Sequence, residues 1–153
     1  FKWVGTQYEA ADYINRPHED YPKRCWRTES VIESAQTVLR LAGNPPEFPA
    51  QADLISCHDR IFHDESFRGR YRDLNVTVGP HRPPPYQRIQ LFMDQLSEQY
   101  KGTLITIKEL VAWYTDFETI HPFQDGNGRV GGVIVAVLSH QMHPEKGWLT
   151  PLQ

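Results

Sequence analysis

Ile107, Leu110, Val111, Tyr114 and Phe117 recur at i, i+3, i+4, i+7 and i+10, the spacing that turns one face of a helix toward a core. The pattern predicts a helix over residues 106–120. His121, four residues past Phe117, falls on the same inward face. A second stripe, Val130, Val133, Ile134, Val137 and Leu138, predicts another buried helix shortly after it. Upstream, Ile89, Phe92, Met93 and Leu96 mark an amphipathic helix ending near Tyr100, and Leu54, Ile61 and Phe62 point inward from a helix over 51–64. Cys57 falls with Leu54, His58 and Ile61 at helical spacing, as a core thiol would. A short helix is expected near Tyr8–Ile14, and a longer one from about Ser30 to Leu41, stopped by Gly43-Asn44-Pro45-Pro46. Between Gly69 and Gly79 the period switches to two. Leu74, Val76 and Val78 alternate with Asn75 and Thr77, and Pro83-Pro84-Pro85 closes the extended piece. The fold class is mainly α, with one short β excursion.

Composition narrows what such a chain does. At 153 residues it has the length of one domain, with 39% apolar and 23% charged residues. A net charge of −3 argues against a nucleic-acid backbone binder, which would carry a basic excess. No apolar run approaches the ~18 residues a membrane span requires. Two cysteines, Cys25 and Cys57, make no disulfide framework, so a reducing, cytoplasmic setting is expected. The chain begins at Phe1 rather than Met and stops soon after its last predicted helix, as a fragment or a processed form would.

The chemistry concentrates in His121-Pro122-Phe123-Gln124-Asp125-Gly126-Asn127-Gly128-Arg129, the link between the two buried helices. Gly126 and Gly128 can take positive φ and let backbone N–H groups close on a ligand. They lie just before a helix N-terminus, where unpaired N–H donors and the dipole favour an anion such as phosphate. Asn127 can add an amide donor and Arg129 a planar cation. Asp125 suits Mg²⁺, which takes one or two carboxylates with phosphate oxygens and water. His121 can accept the proton of an incoming hydroxyl, although it stands at a helix C-terminus, where the dipole favours imidazolium. The plainer reading is a Gly-Asn-Gly turn between two core helices with a satisfied interhelical histidine. The number of specified positions tells against it.

The segment resembles the signature H-x-F-x-(D/E)-G-N-G-R-x-x-R of the Fic family, enzymes that usually transfer AMP from ATP to a protein hydroxyl. The resemblance implies a helical bundle with a short β-hairpin flap over the active site. It assigns His121 as the base, Asp125 as the Mg²⁺ ligand, Gly126, Asn127 and Gly128 as the anion hole, Arg129 as a phosphate contact and Phe123 as the anchor of the loop. ATP would be the co-substrate. Residues 51–153 would be the Fic core, with the flap at 69–80 and the motif loop at 121–129, preceded by an N-terminal helical segment over 1–50. In the flap, Tyr71, Asn75, Val76, Thr77 and Val78 would dock an extended segment of a protein target by β-augmentation. A structural hairpin packed on the core is the alternative.

One position departs from the signature: Gly132 stands where the second arginine belongs. In the family's AMP-transferases that arginine contacts the ATP γ-phosphate. Its replacement leaves open altered nucleotide use, another donor or direction (phosphocholine, UMP or phosphate transfer, or removal of AMP), or a degenerate domain retained for binding. Glu33, in a helix over 28–43, matches the family's inhibitory glutamate only loosely, because Glu29 and Ser34 replace its flanking residues. Ser30-x-x-Glu33 is equally a complete capping box. His58 and His63 are five apart, a spacing unsuited to shared ligation on one helix face. His81, His140 and His143 are scattered and expected at the surface. Nucleotide and target protein are thus the expected partners, with neither nucleic acid nor membrane among them, and no feature indicates an oligomeric state.

Overall fold

The computed structural model describes residues 1–15, 30–33, 35–36 and 47–151. Strand β1 (Lys2–Val4) leads into helix α1 (Gln7–Asn15). Residues 30–33 and 35–36 are helical, with Val31, Ile32 and Ala35 buried; the rest of the helix expected over 30–41 lies outside the described residues. Helix α2 (Gln51–Ile61) follows, then a turn-rich passage and the extended flap. A 3₁₀ turn over Tyr86–Arg88 opens α3 (Ile89–Tyr100), and α4 (Ile107–Ile120), α5 (Asn127–Met142), a second 3₁₀ turn and strand β2 (Trp148–Thr150) complete the order.

The strongest periodicities gave the central elements. Thr106 caps α4, its hydroxyl accepting the Glu109 N–H at 3.1 Å. The face α4 turns inward is Leu110, Trp113, Phe117 and Ile120; Val111 and Tyr114 are only partly buried. Helix α5 is the hub. Every residue from Val130 to Ser139 is buried, and α1, α2, α4 and β2 all pack against it. A helix buried all round cannot show one clean stripe.

Two glycines let those neighbours come close. A Cβ on Gly131 would stand 3.0 Å from the Tyr114 ring and 3.2 Å from Phe117, and one on Gly132 would stand 3.0 Å from Ile14 of α1. Gly131-Gly132 costs α5 helix propensity and gains two close helix contacts.

The β structure differs from expectation. β1 and β2 pair antiparallel with Lys2↔Thr150, Trp3↔Leu149 and Val4↔Trp148, joining the two ends of the chain; strands of three residues carry no readable period. Among the described residues the flap forms no ladder. Its one bridge links Val78 and His81, with N–H···O distances of 2.9 and 3.0 Å. The returning limb runs through Pro83-Pro84-Pro85, which have no N–H to donate. Nor does the apolar side of the flap pack on the core as in a structural hairpin, since Leu74 and Val78 are 40% and 43% exposed. His140 and His143, expected at the surface, are partly exposed and each meets a tryptophan. The first stacks on Trp148 at 3.9 Å between ring centroids, and the second meets Trp3 edge-on. Among the described residues no helix is long and apolar enough to cross a membrane.

Candidate active site

Helix α4 ends at His121, which takes the left-handed conformation (φ 53°) and donates its backbone N–H to the Phe117 carbonyl at 3.0 Å. Among the described residues it is the one non-glycine position with positive φ. The turn it makes releases the chain into the motif loop.

Arg72, from the flap, lies against this helix end. Its Nε donates to the His121 carbonyl at 2.7 Å and its Nη2 to the Ile120 carbonyl at 3.4 Å. The same guanidinium holds the Leu74 carbonyl at 2.9 Å and the Pro84 carbonyl at 2.5 Å. A buried cation thus sits on the carbonyls whose partial negative charge would otherwise favour imidazolium at His121. The His121 ring is held below the usual histidine range, first by burial, then by Arg72 and His81, against a hydrogen bond to the Glu118 carbonyl and the charge of Asp125. A neutral imidazole is the form a general base requires.

The loop is closed from within. The Phe123 N–H donates to Asn127 Oδ1 at 2.9 Å, and Asn127 Nδ2 returns a bond to the Phe123 carbonyl at 2.8 Å. Asn127 is buried, so its amide shapes the loop rather than projecting toward a ligand as expected. Gly126 caps α5 with φ 83°, and a Cβ there would lie 2.1 Å from the Phe62 ring. Glycine is required on both counts. Gly128 lies inside α5 with negative φ. Among the described residues no side chain caps α5, whose first hydrogen bond runs from the Val130 N–H to the Gly126 carbonyl at 2.9 Å. The Asn127 and Gly128 N–H groups lie ahead of it in the first turn, where a helix N-terminus favours an anion.

Arg129 is fully buried. Its Nη2 stands 3.4 Å from Asp125 Oδ1, and its guanidinium lies 4.5 Å over the Phe62 ring. A phosphate reaching this cation would compete with Asp125. The Asp125 side chain is half exposed at the loop surface. Among the described residues no cluster of three or more His, Cys, Asp or Glu forms a metal cage. A lone carboxylate still fits Mg²⁺ where phosphate oxygens and water complete the shell.

Two residues of this site were not assigned to it from the sequence. Arg72 is one. The other is His58, fully buried on α2, which accepts the Gly69 N–H at Nδ1 (2.9 Å) and therefore donates from Nε2 to the Asp125 carbonyl (3.0 Å). Its ring stacks on Phe123 at 4.1 Å, and burial pushes its pKa down to about 4, so it is neutral at pH 7. Periodicity placed His58 on an inward face; its partners, in the flap and the motif loop, are too distant in sequence to be read.

The flap residues divide. Tyr71 donates its hydroxyl to Gln51 Oε1 at 2.5 Å and leans on Phe123, so it supports the site rather than meeting a partner. Asn75 ties the flap to the next element by accepting the Tyr86 N–H at 2.9 Å. Val76 is half-buried, while Thr77 and Val78 are exposed. Glu33 is exposed, and among the described residues no ion pair joins it to Arg129; Glu29 and Ser34 lie outside the described residues.

A family model described as Fic/DOC family matches residues 48–139. A probable protein adenylyltransferase of Aquifex aeolicus is 39% identical over 56 residues, 35% of this chain and 17% of its own length. The protein adenylyltransferase Fic of Drosophila willistoni is 30% identical over 92 residues, 56% of this chain and 18% of its own length. The chain thus spans less than a fifth of either relative. A solved Fic family protein from Desulfovibrio desulfuricans superposes with a TM-score of 0.62 at 23% identity, covering 80% of this chain and 38% of that one. A Fic domain containing signaling protein from Bacteroides thetaiotaomicron gives 0.65 at 20%, covering 78% and 48%. These two likenesses speak for the fold.

Proposed function

The chain belongs to the Fic/DOC family, and from that premise we propose that it transfers AMP from ATP to a Ser, Thr or Tyr hydroxyl of another protein. The observation supporting this reading is a histidine held below its ordinary pKa, first by burial, in the loop that leads into the N-terminus of α5. His121 takes the proton of the target hydroxyl as its oxygen bonds to the α-phosphorus, and the bond from that phosphorus to the bridging oxygen breaks to release pyrophosphate. The Asn127 and Gly128 N–H groups stabilise the phosphate charge, with Arg129 once a phosphate displaces Asp125 from it. Mg²⁺, held by Asp125, would neutralise charge on the phosphates. Little covalent chemistry is asked of the protein, so orientation carries the rate. The target lies along the flap at Asn75–Val78, where among the described residues Val76 and Thr77 have no backbone–backbone hydrogen bond, and the reaction belongs in the cytoplasm. The adenylyltransferase names of the relatives support the same activity.

Gly132 favours a second reading. Its Cβ direction leads onto Ile14 rather than into open space, so the phosphate contact of the family's second arginine is missing here. Phosphocholine, UMP or phosphate transfer, removal of AMP, or a module that only binds would each tolerate that loss. Titration calorimetry with ATP, GTP, UTP, CTP and CDP-choline in Mg²⁺, followed by incubation of a cell extract with α-labelled ATP, separates these. The expected result is ATP binding that Arg129→Ala weakens, and protein labelling that His121→Ala reduces about 10²–10⁴-fold. Labelling that survives His121→Ala would end the general-base assignment.

A further inference from the structure

The root of the flap is tied to both ends of the motif loop. At the carboxylate end, His58 links the Gly69 N–H to the Asp125 carbonyl. At the histidine end, Arg72 takes carbonyls from both limbs of the flap, Leu74 and Pro84, and from the last residues of α4, Ile120 and His121. Its own backbone N–H donates to the Pro122 carbonyl at 2.8 Å. Three of the five hydrogen bonds from this one residue therefore bracket His121, and two hold the flap. A non-glycine residue holds a left-handed conformation only where its surroundings fix it.

We propose that Arg72 is the positioning residue for His121, fixing its backbone while registering both limbs of the flap against it, so that occupancy of the flap is transmitted to the base. The functional part of this inference rests on His121 being the base; the mechanical part does not. Lysine cannot replace Arg72, because a point charge on a flexible stem lacks the planar fork that serves four carbonyls at once. The charged and titratable groups facing His121 are Arg72 and His81 from the flap and Asp125 from the loop; Glu118, on its own helix, meets the ring through its backbone carbonyl. Without the guanidinium, the terminal carbonyls of α4 would act on the ring uncompensated and the imidazolium would form more readily.

The test is an NMR titration of the His121 ring in the whole chain, for the parent protein, Arg72→Met and Arg72→Lys, with His121→Ala to assign the signal. Amide exchange at Val78 and His81, the two N–H groups of the flap bridge, is followed alongside. Arg72→Met is expected to raise the His121 midpoint by about one pH unit and to accelerate exchange at both amides by about tenfold. Arg72→Lys is expected to move the midpoint less, because the charge stays, yet to accelerate exchange as strongly, because the fork is gone. If Arg72→Met does not fold, Arg72→Lys decides by exchange alone. Unchanged exchange at Val78 and His81 in Arg72→Lys, or a loss of protection spread evenly over every amide, would overturn the proposal and leave Arg72 a helix cap. Neither readout needs nucleotide or target, so failure of the transfer reading leaves it intact. In an active enzyme, Arg72→Lys should lower kcat with the KM for ATP within about twofold, as expected for lost transition-state positioning.

Discussion

At Gly126 a single methyl group decides whether the motif loop can form. A Cβ would overlap the Phe62 ring at 2.1 Å, and the φ of 83° is strained for any L side chain. Phe62 cannot easily yield, because the Arg129 guanidinium lies on the same ring at 4.5 Å. Gly126→Ala should therefore cost about 3 kcal/mol in urea unfolding, combining overpacking with left-handed strain. A loss below about 1 kcal/mol would mean that the ring can step aside and that the loop is softer than its packing implies. His121 and Arg129 frame the same point from the other side. Both were recognised as chemical groups, but the partners that decide their state came from elsewhere. The pKa of His121 is lowered by burial first and then by Arg72, and the buried Arg129 guanidinium lies against Phe62 and Asp125. A motif shows which functional groups are present; their charge state follows from contacts made across the fold.

Helix α5 shows how an apparent defect in an element can be a packing device. Gly131-Gly132 weakens a helical turn, and the structure places Tyr114 and Phe117 on one glycine and Ile14 on the other. Restoring the family's arginine with Gly132→Arg should thus destabilise the chain by about 1–3 kcal/mol despite better helix propensity. Ile14→Ala combined with it should recover part of that loss, a coupling that a double-mutant cycle in urea would measure. Strict additivity of the two changes would show that Ile14 does not occupy the arginine's path. The elements themselves were legible to differing degrees. α3 and α4 announced themselves because each buries one face long enough for the 3.6-residue period to show, and α5 by an apolar run that is buried all round. The flap's alternation correctly marked extended chain but not its pairing, since three prolines on the return limb remove the donors a ladder needs. The β1–β2 pair could not be read at all, because three-residue strands joined across the length of the chain leave no periodic trace.

For the molecule as a whole, the buried groups His58 and Glu118 pull stability against pH in opposite directions, with the lowered pKa of His121 adding to the His58 side. Burial pushes His58 from its ordinary 6.5 down to about 4. Its contribution is present above pH 6.5 and is lost as pH falls toward 4, because the unfolded chain takes up the proton first. Glu118 does the reverse. Burial raises its carboxyl from 4.5 to about 7, and its Oε1 finds no hydrogen-bond partner among the described residues. The folded state therefore holds that proton more tightly than the unfolded one, and stability falls as pH rises from 4.5 through 7. Between 4.5 and 6.5 the two slopes oppose each other, so the parent protein should show a shallow profile there. Glu118→Gln removes one of them. Its advantage over the parent should grow with pH, reaching about 1–3 kcal/mol at pH 8, a value kept below the full linkage figure because the side chain is only partly buried. The variant should also reveal the acid sensitivity that Glu118 conceals, with stability rising steadily from pH 4.5 to 6.5. Urea unfolding of both proteins at pH 4.5, 5.5, 6.5 and 8 measures this directly. Parallel curves would mean that the Glu118 carboxylate ionises normally on α4 and has found a partner for its buried oxygen.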